Sequence, residues 1–222
     1  MAQIAEDLLL LLLDNAANRP ALDRDRRQKV LGAAVLLDLA WVCRIRPSVD
    51  GEPIRPGRLL LLAGPALGDP ILDSAQRLLQ RRPLKPGAAV AKLRRGVEPA
   101  LLRHLEEGGH IRGMRLRGNR FNGFQAWPMA NRSRVNEARS ALLGVLFDLN
   151  SPPPSTAAII SLLHAVDGLG ALLSLNVRGW EWVNSRAAAI AGGCWVDESP
   201  GAVELAQVNL AVTASAVRQA LT

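Results

Sequence analysis

The sequence predicts a mainly α fold: a single helical domain with two short β-hairpins. Three observations carry that expectation. Apolar residues make up 49% of the 222-residue chain, enough for one sizeable core. Long stretches with helical caps and buried-helix composition outnumber the short apolar runs bounded by Gly and Pro. No repeat recurs at a solenoid period, and "SPPPS" at 151–155 is too short to link two domains. Residues 1–222 are therefore read as one domain.

The first element opens with "AEDLLLLLLDNAANRP", whose leucine run, Leu8 to Leu13, resembles membrane material. Crossing a bilayer takes about 20 apolar residues. Here Glu6, Asp7 and Asp14 flank the run, and no basic start or cleavage site marks a secretory signal. The leucines are expected inside a fully buried helix over 5–14. Later, a long charge-free stretch, 150–166, contains Pro152, Pro153 and Pro154, which cannot lie within one helix.

A second helix is expected over 24–42 with Asp23 as its cap. "RIRPSVDGEPIRPGRLLLLAG" reads as a hairpin, two short apolar strands around a Gly/Pro-rich turn. "GDPILDSAQRLLQRRP" is a helix with Asp69 at the cap and Pro70 at the first position. Short helices over 88–95 and 98–107 follow, the second closed by Gly108-Gly109. "HIRGMRLRGNRFNGFQAWP" is a second hairpin turning at Gly118-Asn119, basic on its first strand and aromatic on its second. Helices return over 134–148, 156–175, 179–191 and 202–221. Cys43 and Cys194 are expected as two buried thiols rather than a disulfide or metal site. With no export signal, that places the protein in a reducing, cytoplasmic compartment.

Charge is polarised. Residues 77–139 hold fifteen Lys or Arg and four Asp or Glu, hence +11. The remainder holds twelve and sixteen, hence −4, for the total of +7. That excess points to a polyanionic partner, either nucleic acid or an acidic membrane surface.

Catalytic signatures are missing. There is no phosphate-binding G-x-x-x-x-G-K loop, no G-x-G-x-x-G after a strand and no G-x-S-x-G elbow. His164 and Asp167 stand one helical turn apart but lack a third ligand, so no metal site and no cofactor is expected. The chain is read as a binding protein, not an enzyme. On one reading "LLRHLEEGGHIRGMRLRGNRF" resembles a winged helix, with Arg112, Arg115, Arg117 and Arg120 on phosphates. Glu106 and Glu107 on the preceding helix oppose that. On the other, cations beside Phe121, Phe124 and Trp127 suit anionic headgroups and acyl chains.

Several segments, in order, resemble the Golgi phosphoprotein 3 family. They are "EDLLLLLLD", "LLDLAWVCRI", "GDPILDSAQRLL", "LLRHLEEGGHI", the Trp127-Pro128 pair and "IISLLHAVDGLGALL", spread over nearly the whole chain. The resemblance implies one mostly helical domain in which one of the two hairpins is protruding, and recruitment to membranes by phosphatidylinositol 4-phosphate, through a pocket of one tryptophan and three arginines. It implies that the hairpin takes part in self-association and membrane contact. In eukaryotic relatives it implies an adaptor that retains glycosyltransferases in the Golgi. The family tryptophan falls at Leu22 or Asp23, the first arginine at Leu31 or Gly32, and the other two at Arg95 and Glu98. Only Arg95 matches. Arg24, Arg26, Arg27, Lys29, Lys92 and Arg94 are near in sequence and are candidates to replace the rest.

The expected site is thus a headgroup cluster of Arg24, Arg27, Lys92, Arg94 and Arg95. A hairpin with Arg117, Arg120, Phe121 and Phe124 contacts the membrane or a second copy. The expected partner is an anionic phospholipid, with weak preference for phosphatidylinositol 4-phosphate. The expected place is the inner face of the membrane. An Arg- and Ala-heavy composition fits a bacterial relative.

Overall fold

Ten consecutive buried residues, Ile4 to Leu13, put helix α1 (Gln3–Leu13) at the centre of this computed structural model, which describes residues 3–116, 124–196 and 205–221. The six leucines are each no more than 2% exposed, as expected of a helix buried on every side. Around α1 pack α2 (Arg24–Trp41), α4 (Pro86–Glu107), α5 (Ser133–Phe147) and α6 (Pro154–Ala165). A helix enclosed in this way cannot leave its first backbone N–H groups to water. Asp38 of α2 serves instead, accepting from the N–H of Ile4 at 2.8 Å and of Ala5 at 3.0 Å. Burial pushes the Asp38 carboxyl well above the usual carboxylate range, although those two N–H bonds oppose the shift.

Helix α2 is the second axis, touching α1, α3 (Pro70–Arg81), α4, α6 and α8 (Leu205–Arg218). One hydrophobic core draws on all eight helices among the described residues. Among those residues no helix is long and apolar enough to cross a membrane. Asp69 caps α3 as predicted, its Oδ1 accepting from Ile71 at 2.9 Å and Leu72 at 3.1 Å, with Pro70 at the first position.

Two expectations about helix ends are corrected. The helices expected over 88–95 and 98–107 are one helix, α4, which runs through Pro99. An internal proline costs roughly 3 kcal/mol. Against that, Val90, Leu93, Val97, Leu101, Leu102 and Leu105 bury a single stripe, and burying such side chains is worth about 1.5 kcal/mol or more apiece. Pro99 itself lies on the exposed side. The helix expected over 156–175 stops at Ala165. Asp167 adopts φ 51°, the Gly168 N–H turns back to the Leu163 carbonyl at 2.7 Å, and only a 3₁₀ turn, Leu169–Ala171, follows. Helix α7 (Val177–Ala191) is capped by Asn176, which accepts from Gly179 at 2.9 Å.

Both hairpins form. Strands β1 (Ile45–Pro47) and β2 (Leu59–Leu61) pair antiparallel, as do β3 (Met114–Leu116) and β4 (Phe124–Ala126). In the second, Leu116 pairs with Phe124, and the turn expected at Gly118-Asn119 lies outside the described residues. The thiols are also corrected in part: both are free, but Cys43 is half-buried and Cys194 exposed.

Candidate anion-binding pocket

The N-terminal turn of α2 and the exposed flank of α4 enclose an open cavity of about 470 Å³ at the foot of the second hairpin. Arg24 and Arg27 enter from α2, Arg95 and Arg103 from α4, and Gln125 and Trp127 from the hairpin's return strand and its exit. Local structure explains each placement. Asp23 caps α2 by accepting from the Arg26 N–H at 3.0 Å, so the first turn starts where Arg24 and Arg27 project together. The Arg26 side chain beside it holds the Asp23 carboxyl down at about 2. On α4, Arg95 and Arg103 lie eight residues apart, close to two helical turns and hence on one face. Trp127 is anchored through its backbone N–H, which donates to the Asn18 carbonyl at 2.7 Å. Its ring packs against Gly113, where an added Cβ would lie 2.9 Å from Trp127 Cζ3.

Two carboxylates temper the positive field. Glu98 accepts from Arg27 Nε at 2.8 Å, while Arg27 Nη1 donates to the Leu22 carbonyl at 2.8 Å. Glu106 Oε1 accepts from the Gly113 N–H at 2.8 Å. Arg24, Arg95 and Arg103 make no ion pair among the described residues. The pocket therefore offers one paired arginine, Arg27, three without an ion-pair partner among the described residues, and an aromatic wall. That combination suits a phosphate group, since guanidinium donors match phosphate oxygens in a bidentate fork.

Of the five predicted headgroup residues, Arg24, Arg27 and Arg95 come together here. Lys92 and Arg94 do not. Arg94 Nη1 is 2.8 Å from Asp25 Oδ1, and Lys29 Nζ is 2.7 Å from Asp25 Oδ2. Asp25 is held below the usual carboxylate range, chiefly by its hydrogen bond from Lys29. Lys92 faces α3 instead. Arg103 and Trp127 are the residues missed as pocket walls. The eight-residue spacing from Arg95 was the available signal for Arg103, whereas Trp127 reaches the cavity only through tertiary folding. At the positions assigned to the family's first arginine, Leu31 is fully buried, and a Cβ on Gly32 would make van der Waals contact at 3.4 Å with the Val90 carbonyl and the Arg94 nitrogen at the α2–α4 crossing, so neither position lines the pocket. Arg117, Arg120 and Phe121 lie outside the described residues, and Phe124 is a β4 residue opposite Leu116.

Part of the +11 segment is spent internally. Arg134 bridges Glu6 and Asp7 of α1, with Nε 2.6 Å from Asp7 Oδ1, and Arg139 reaches Asp14 at 2.8 Å. Arg132 also pairs with Asp14. Asp7 is nonetheless raised above the ordinary range because burial outweighs its arginine partner.

No curated protein matches the chain. A family profile does: the one described as Golgi phosphoprotein 3 (GPP34) covers residues 4–218, from the buried leucine helix through the pocket helices to the end of α8. The chain belongs to the Golgi phosphoprotein 3 family.

Proposed function

We propose that this protein is a non-catalytic, peripheral membrane-binding protein that seats an anionic lipid headgroup in the α2–α4 pocket. The observation that carries the reading is the convergence of Arg24, Arg27, Arg95 and Arg103 with Trp127 in one open cavity. Arginines grip the phosphate, and the tryptophan wall meets the less polar glycerol or ring portion of the headgroup. Both acids at the pocket are engaged in hydrogen bonds, and Arg24, Arg95 and Arg103 keep guanidinium donors without an ion-pair partner among the described residues. Because Glu98 occupies a position where the family resemblance calls for arginine, selectivity for phosphatidylinositol 4-phosphate over other anionic lipids is weak. The hairpin carrying Arg117, Arg120, Phe121 and Phe124 supplies either an interfacial contact or a meeting with a second copy.

Flotation with vesicles of graded composition tests the reading. Binding is expected on phosphatidylglycerol-containing vesicles and absent on pure phosphatidylcholine. It should weaken sharply as salt shortens the Debye length below about 10 Å. Salt-independent binding, or equal binding to neutral vesicles, overturns the reading. A Phe121→Ser/Phe124→Ser variant that floats poorly with unchanged sedimentation supports insertion; normal flotation with altered sedimentation assigns the hairpin to self-association.

A further inference from the structure

A second gathering of cations lies beyond the α2–α4 pocket. Arg77 and Arg81 of α3 and Lys92 of α4 line a groove of about 300 Å³ with Ser74, Leu78 and Leu93. None of these six residues is acidic, and none of the three cations has an ion-pair partner among the described residues. Arg77 Nε donates only to the backbone carbonyl of Asp73, at 3.2 Å. The contrast with Arg94, Arg132, Arg134 and Arg139 is direct, since each of those has its carboxylate. Like charges held around one groove repel each other, and an anion between them converts the repulsion to attraction.

The groove and the pocket share a helix face. Successive residues advance about 100° around a helix, so Lys92 stands about 60° from Arg95 and about 20° from Arg103 on α4. All three are exposed. They form a ridge with the α2–α4 pocket on one flank and the α3–α4 groove on the other. A flat anionic surface that meets this ridge reaches both.

We propose that the α3–α4 groove of Arg77, Arg81 and Lys92 is a second seat for an anionic lipid headgroup, occupied together with the α2–α4 pocket on one membrane. The inference rests on the membrane reading above. The two guanidinium groups take phosphate oxygens, the Lys92 ammonium adds a point charge, and the Ser74 hydroxyl is a further donor. Once the first headgroup binds, the second is captured from a high local concentration. The protein is thereby held with its α4 ridge toward the lipid.

The test compares Arg77→Gln/Arg81→Gln/Lys92→Gln with Arg24→Gln/Arg95→Gln/Arg103→Gln and with a control, Arg55→Gln/Arg178→Gln. Each is titrated with vesicles of phosphatidylcholine and phosphatidylglycerol after its melting temperature is checked. Each of the two triples is expected to bind roughly a hundredfold more weakly, far more per charge removed than the control. An α3–α4 triple that binds like wild type, or loses no more per charge than the control, overturns the second seat and leaves the pocket reading standing. Wild-type protein that ignores the vesicles overturns both. If the α3–α4 triple loses affinity for duplex DNA but keeps its vesicle affinity, the groove belongs to nucleic acid and the proposal falls.

Discussion

Arg27 Nε meets Glu98 Oε1 at 2.8 Å in the wall of the α2–α4 pocket, with the two side chains only 15% and 11% exposed. The pair joins α2 to α4 and fixes Arg27 in place. It also cancels one of the positive charges the pocket would otherwise present. The bond between α2 and α4 and the positive charge of the pocket are therefore opposed at Glu98.

Replacing Glu98 with Gln keeps an acceptor for Arg27 and removes the charge. One unit of charge near an anionic surface is worth about 1 kcal/mol, so vesicle binding should strengthen roughly fivefold. The melting temperature should fall, because a hydrogen bond to a charged partner becomes a neutral one. Unchanged affinity in a vesicle titration would show that the pocket does not face lipid.

Gly113 is required by Trp127. A Cβ there would lie 2.9 Å from Trp127 Cζ3 and 3.0 Å from Glu106 Oε1, so Gly113→Val must displace the ring or the hairpin base. The expected result is vesicle binding several-fold weaker, matching Trp127→Ala, because the aromatic wall proposed to meet the headgroup is displaced. If Trp127→Ala binds normally, the ring is not part of the seat.

Arg134 is the partner of two buried acids, and the Glu6 side chain is only 1% exposed. Arg134→Met leaves Glu6 and Asp7 without it, a loss expected to cost about 3–5 kcal/mol in chemical denaturation. A cost under about 1 kcal/mol would mean that neighbouring groups such as His104, 3.4 Å from Glu6, take over the charge.

Asp38 sets the sign of a pH dependence. Its carboxyl is raised in the folded chain by burial, so on raising the pH the unfolded chain loses this proton first. Folding then binds more protons than unfolding, and stability falls as pH rises from the ordinary carboxylate range toward the raised folded value. Asp38→Asn removes that descending limb while keeping one acceptor for the Ile4 and Ala5 N–H groups. Denaturation midpoints measured from acidic to neutral pH should be flatter for the variant. Parallel curves for the two proteins would refute the assignment.

Much of the fold was legible because local rules decided it. Asp69-Pro70 marks a helix start whatever surrounds it, since the aspartate oxygen and the missing proline N–H act within one turn. The leucine run with acids at both ends could be buried but not span. The Gly-rich ends of the hairpins located the strands. The site was legible only in outline. Sequence proximity grouped Arg94 and Lys92 with Arg95, yet neighbours on a helix point about 100° apart and so meet different partners. Arg94 went to Asp25 and Lys92 to α3.

By itself the sequence determined the helical class, the central buried helix, most helix starts and the polarity of charge, because caps, breakers and composition act over a few residues. Tertiary structure decided the rest. Burial of the α4 stripe outweighed the local cost of Pro99 and made one helix of two. The α2–α4 crossing placed Gly32 against the α4 backbone, away from the pocket, and brought Arg24 and Arg27 beside Arg95 and Arg103. The packing of α5 on α1 withdrew Arg132, Arg134 and Arg139 from the surface field, because a cation neutralised by a carboxylate no longer attracts an anionic partner.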